Sequence, residues 1–172
     1  MIFVKTVLIG PHPIPYGRVM PRSIATNSTV DRTRLVEFLR PRHRMILLTP
    51  RSDGGWQGSP VTAGVDGEGR IVVSTYPERA KAANVARHGR AAVVALSDEF
   101  DGPWVQVEGP AELIRLPAAL EPLVEYFRCI SGEHPDWDEY RAAMTAQGKA
   151  LIRIDPERWG PIATGGFPAR LA

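Results

Sequence analysis

The sequence predicts an α+β domain built around a small antiparallel β-barrel, with helices set between some of its strands. Three observations point there. About six short apolar runs have the length and β-branched content of strands, and turn chemistry joins several of them as hairpins. The regular strand–helix alternation that a parallel, doubly wound sheet requires is missing. With 172 residues and 44% hydrophobic content, one core can bury roughly 70% of the unfolded surface, so folding needs no disulfide or metal staple.

Residues 1–30 read as an extension ahead of that domain. "MIFVKTVLIG" (1–10) is apolar, but it is about half the length of a membrane span and lacks a small-residue cleavage site. The next thirteen residues hold four prolines, which excludes a regular helix or a central strand. Met20 is a second candidate initiator. The barrel domain is expected over 31–160. The Gly/Pro-rich stretch 161–172 is expected as a tail that either lies on the surface or embraces a partner chain.

From Asp31, "DRTRLVEFLR" gives a short helix with Leu35, Val36, Phe38 and Leu39 on its apolar side, ended by Pro41. "RMILLT" (44–49) reads as a buried strand. After the turn "RSDGGW", "QGSPVTAGV" (57–65) is a weak strand in which Gly58, Pro60 and Gly64 mark an edge, a bulge or a close backbone approach. Asp66-Gly67-Glu68-Gly69 is a hairpin signal leading into "RIVVST" (70–75). A helix is expected from Arg79 to His88, stopped by Gly89. "AAVVALS" (91–97) is the next strand, and "WVQVEGPAELIRL" (104–116) a long bent strand, or two strands, about a Gly109-Pro110 kink. Pro117 is expected to open a helix that Ser131-Gly132 closes. Asp136 caps another, with Glu139 as its capping-box partner and Gly148 as its stop, and "KALIRI" (149–154) is the final strand.

Composition excludes more than it assigns. The balance of 21 basic and 19 acidic residues gives a net charge of +2, which implies neither a nucleic-acid nor a membrane partner, so any anion site must be local. One cysteine, Cys129, rules out an internal disulfide and points to a reducing, cytoplasmic setting; following "LVEYFR" at helical spacing, it reads as a packed thiol. His12, His43, His88 and His134 lie far apart with no ligand spacing, so no metal site is expected. No serine stands in a Gly-x-Ser-x-Gly elbow. Gly67-Glu68-Gly69 lacks the third glycine and the following helix of a dinucleotide loop, and the tryptophans read as packing residues.

The stretch "STYPERAKAAN" (74–84) leaves the strand through two hydroxyls and enters a helix with Arg79 and Lys81 at its start. Helix N-termini present free N–H groups and partial positive charge, so these residues suit a phosphate. Lys81, Asn84 and His88 share one helical face. On residue chemistry alone, a solvated basic face explains the same pattern, and both readings stand.

"VVSTYPERAKAANVARHGRAAVVAL" (72–96), "VQVEGPAEL" (105–113) and "YFRCISGEHPDWDEYRAAM" (126–144) together resemble the split β-barrel flavin and deazaflavin oxidoreductases related to pyridoxamine 5′-phosphate oxidase. The third segment is similar to the helical insertion of the actinobacterial branch that uses coenzyme F420. The resemblance implies a Greek-key, FMN-binding-like, six-stranded antiparallel split barrel with flanking helices. It implies that Lys81 and Arg79 bind a cofactor phosphate, supported by Ser74, Thr75 and Asn84. It places Ser59, Pro60, Val61 and Thr62 against the cofactor ring, and in a homodimer it brings Trp104 and Gln106 from the other subunit. The implied activity is hydride transfer from reduced F420 to a conjugated small molecule, with no residue assigned to catalysis. FMN in place of F420, or a non-catalytic split barrel that holds a cofactor or tetrapyrrole, are the alternatives.

Overall fold

The computed structural model describes residues 23–99 and 102–171. Residues 1–22 of the expected extension, with the candidate initiator Met20, lie outside the described residues. In chain order the elements are β1 (Asn27–Ser28), α1 (Arg32–Leu39), β2 (Arg44–Pro50), β3 (Trp56–Thr62), β4 (Gly64–Val65), β5 (Ile71–Thr75), α2 (Ala80–His88), β6 (Arg90–Ala95), β7 (Val105–Arg115), α3 (Leu120–Ser131), α4 (Trp137–Ala146), β8 (Ala150–Ile154), β9 (Arg158–Trp159) and β10 (Ile162–Ala163). Six of these strands have five or more residues and form the barrel wall; the rest are two-residue strands. All pair antiparallel.

One sheet runs β3-β2-β6-β7-β8-β5-β4, with β9 beside β7. β7 is the strand that lets this sheet curl. Its first half, Val105–Pro110, pairs with β6, and its second half, Ala111–Arg115, pairs with β8. The expected kink at Gly109-Pro110 is the changeover, within one continuous strand. The segment after β8 crosses directly over it: the Asp155 amide donates to the Pro110 carbonyl and the Glu157 amide to the Glu108 carbonyl, both at 3.0 Å. Gly109 has no side chain because the Asp155 carbonyl oxygen lies where its Cβ would be.

Inward residues of the strands fill the barrel with Met45, Leu47, Ile71, Val73, Val93, Val105, Val107, Ile152 and Ile154. α1 closes one side of this core. The Asp31 carboxylate accepts from the Arg34 amide at 2.8 Å, and Leu35 and Leu39, one turn apart, are fully buried. α2 packs on β2 and β7 through Ala82 and Val85, and Gly89 ends it in the left-handed conformation at φ 63°. A second core lies between the sheet and the α3–α4 pair, built from Val72, Leu123, Val124, Tyr126, Tyr140 and Leu151. The turn before β5 is tied to it, because Glu125 of α3 accepts from the Gly67 amide at 2.8 Å.

Two helix starts differ from expectation. Pro117 precedes α3 without opening it; the helix begins at Leu120, with Pro122 in its first turn, where a missing N–H leaves no bond unmade. Asp136 caps α4 through the Asp138 and Glu139 amides as expected. The reciprocal half of the box is taken by His134, whose Nδ1 accepts from the Asp136 amide at 3.0 Å.

The segment 23–30 and the C-terminal stretch meet as a ribbon. β1 pairs with β10, Phe167 exchanges backbone bonds with Ala25 and Ser23, and Ala163 pairs with Trp104.

Candidate functional site

Where β5 ends, the period-two alternation of a strand sends neighbouring side chains to opposite faces. Thr75 shares a face with Ile71 and Val73 of the barrel core; it is buried, and its Oγ1 has no hydrogen-bond partner among the described residues. Ser74 turns outward into a cleft of about 460 Å³. The chain then passes Tyr76-Pro77-Glu78 and enters α2, with Arg79 as a cap that makes no side-chain bond.

The cleft lies between the barrel and the α3–α4 pair. Pro60, Val61 and Thr62 of the edge strand β3, Ser74 and Lys81 line one part; Tyr126 and Phe127 of α3, Tyr140 and Met144 of α4, Gln147 and Lys149 line the other. No carboxylate is among them. Lys81 is half-buried, and burial, then the neighbouring Arg79 charge, push its ammonium pKa below the usual lysine range. Every ion pair among the described residues uses an arginine, so Lys81 has no acidic partner there. A partly desolvated cation without an acidic partner there, in a cleft lined by hydroxyl and aromatic side chains, suits a phosphate or other anion attached to a flat body.

Tyr126 closes the cleft floor. Its hydroxyl donates to the Thr62 carbonyl at 3.1 Å, tying α3 to the β3 edge. Burial first, then Tyr140, push its pKa up to about 12, while the Ser74 amide acts in the opposite direction. The folded protein therefore holds this proton more tightly than the unfolded chain, whose phenol ionises near the ordinary value of 10.0. The stabilisation from Tyr126 is complete below that pH and is lost as pH rises towards 12. Urea unfolding of the parent and of Tyr126→Phe is expected to show a stability gap below pH 10 that narrows above it; a gap independent of pH would refute the assignment.

The other residues singled out from sequence lie elsewhere in this chain. Arg79 is exposed at the helix start and Ser59 sits opposite Leu47 on β3; neither lines the cleft. Asn84 is buried, and its Nδ2 donates to Thr49 Oγ1 at 3.1 Å and Gln57 Oε1 at 3.2 Å, which pins α2 to β2 and β3. His88 on the same helix is exposed. Asn84→Ala is expected to cost about 1–3 kcal/mol, read as a melting temperature lowered by roughly 2–10 °C. Trp104 and Gln106 border a separate depression of about 380 Å³ with Glu108, Arg158 and Trp159.

Sequence reasoning did not place Tyr126, Phe127, Tyr140, Met144, Gln147 or Lys149 at the site. Tyr140 and Met144 are one turn apart, which marks a shared helical face, but nothing local says what that face covers.

A sequence model of the pyridoxamine 5'-phosphate oxidase family matches residues 32–163. The chain belongs to this family. Solved structures agree on the fold. A conserved hypothetical protein from Mycobacterium tuberculosis is 21% identical with a TM-score of 0.66, the match covering 81% of this chain and 89% of that one. A protein described as an F420 reductase is 19% identical with a TM-score of 0.54, covering 72% and 94%. An FAD binding protein from Mycobacterium smegmatis is 15% identical with a TM-score of 0.56, covering 78% and 96%. At these identities the likeness establishes the family's split barrel alone. Among the described residues no helix is long and apolar enough to cross a membrane.

Proposed function

We propose that this protein is an F420-dependent oxidoreductase acting on a conjugated small-molecule acceptor. The observation that carries the reading is Lys81: a partly desolvated ammonium with no acidic partner among the described residues, opening into a cleft lined by aromatic side chains and by no carboxylate. The segment that resembles the F420-using branch, 126–144, supplies that wall through Tyr126, Phe127, Tyr140 and Met144. When bound, the cofactor supplies hydride transfer. The chain's own residues do the rest. Lys81 pairs with the cofactor phosphate, with the Ser74 hydroxyl beside it, and Pro60, Val61 and Thr62 bound the ring. The aromatic wall keeps water from the reacting face. Arg79, exposed at the helix start, adds long-range attraction for the phosphate. In this proposal the working unit is a cytoplasmic homodimer, in which Trp104 and Gln106 reach the cofactor from the neighbouring subunit; Thr75 and Asn84 hold the strand end and the helix that present Ser74 and Lys81.

Titration with oxidised F420 and with FMN, followed by quenching of intrinsic tryptophan fluorescence, tests this. Binding of F420 with a Kd of about 1 μM or below, near −8 kcal/mol, supports it. Binding of FMN in its place changes the cofactor and keeps the oxidoreductase class, and binding of neither overturns the reading.

A further inference from the structure

The chain has three lysines against eighteen arginines, and Lys5 lies outside the described residues. The other two, Lys81 and Lys149, line the same cleft. They arrive from different elements. Lys81 stands in the first turn of α2, while Lys149 immediately precedes β8, whose Ala150 pairs with Thr75 at the end of β5. Both are half-buried, and neither has an acidic partner among the described residues, where all ion pairs are made by arginine. Lys149 Nζ lies 3.8 Å from the centroid of the Tyr76 ring. That cation–π contact steadies the ammonium and satisfies none of its hydrogen bonds with an acceptor oxygen. Tyr76 itself belongs to the "STYPERAK" exit, so the loop that presents Lys81 also positions Lys149. The lining that the two lysines share includes Phe127, Tyr140, Met144 and Gln147, with no carboxylate to neutralise either charge.

We infer that Lys149 is a second anion receptor, so that the cleft takes ligands with two separate acidic groups. A phosphate meets Lys81 and a carboxylate meets Lys149, while the flat part of the bound ligand lies against the aromatic and thioether side chains. The role needs a positive charge within reach of the group, which a lysine supplies as a compact ammonium on a flexible stem and an arginine would supply as well. The inference rests on the assignment of Lys81 to a cofactor phosphate. The carboxylate belongs either to the cofactor's acidic tail or to the acceptor, and the two sources separate experimentally.

Calorimetric titration of the full chain, of Lys149→Met, Lys149→Gln and Lys149→Arg, and of Lys81→Ala tests this with four probes: F420, whose tail bears carboxylates; FMN, which has a phosphate but no carboxylate; 2-naphthoate; and its methyl ester. Removing the Lys149 charge is expected to weaken an acid-bearing probe about tenfold, to leave FMN within about twofold, and to be reversed by Lys149→Arg. Loss confined to F420 assigns the carboxylate to the cofactor tail. Loss of the preference for 2-naphthoate over its ester assigns it to the acceptor. If no probe responds to Lys149→Met or Lys149→Gln while Lys81→Ala still weakens the cofactor, the second receptor is refuted and the cofactor reading survives. If Lys81→Ala is also silent, both fall. Melting curves of each variant exclude misfolding as the cause, and having two neutral variants keeps the test open if one fails to fold.

Discussion

Gly109→Ala is expected to destabilise the protein by about 3 kcal/mol or more, lowering the melting temperature on the order of 10 °C for a domain of this size. The strand and the segment above it are held together by two backbone bonds flanking the glycine, Asp155 to Pro110 and Glu157 to Glu108. A methyl at Gly109 meets the Asp155 carbonyl oxygen, which is backbone and cannot rotate away as a side chain would. Relief requires breaking one or both of those bonds, and with them the seat of β9 on β7. A melting temperature within about 2 °C of the parent would show that the crossing segment does not close on β7 in solution.

Lys81→Met is expected to lower cofactor affinity by tenfold to about a hundredfold, the loss of one charge-assisted contact of roughly 1.5–3 kcal/mol. Stability of the free protein is expected to move the other way or not at all. Burial and Arg79 depress the Lys81 pKa, so the unfolded chain holds this proton more tightly than the folded one, and folding carries an uncompensated charge. That charge is relieved as pH rises, so the parent gains stability relative to Lys81→Met as the ammonium titrates, while cofactor affinity falls over the same interval. Titrations at increasing pH, paired with melts of both proteins, check the two signs together. A variant that is less stable and binds unchanged would make Lys81 a packing residue.

The barrel was largely legible because its signals are local. Apolar runs bounded by turn residues mark the strands, Asp31 and Asp136 mark helix starts, and Gly89 a helix stop. The helix at Pro117 was misplaced because proline is accepted anywhere in a first turn, and Pro122 occupies that turn as well as Pro117 would. The basic helix start reads as an anion site only with the family resemblance beside it, since a solvated face has the same composition.

The sequence by itself determined the strand-and-turn order, the lack of disulfide chemistry within the chain and the Ser74–Lys81 exit, because each depends on residues near one another along the chain. Tertiary structure decided which of those residues share a space. It separated Ser74 from Thr75 by strand alternation and committed Asn84 to Thr49 and Gln57. It also folded α3 and α4 over the strand end, so that Tyr126 and Lys149 meet Lys81 in one cleft. Those partners are far apart in sequence, and only the burial of the α3–α4 apolar face against β5 and β8 brings them together.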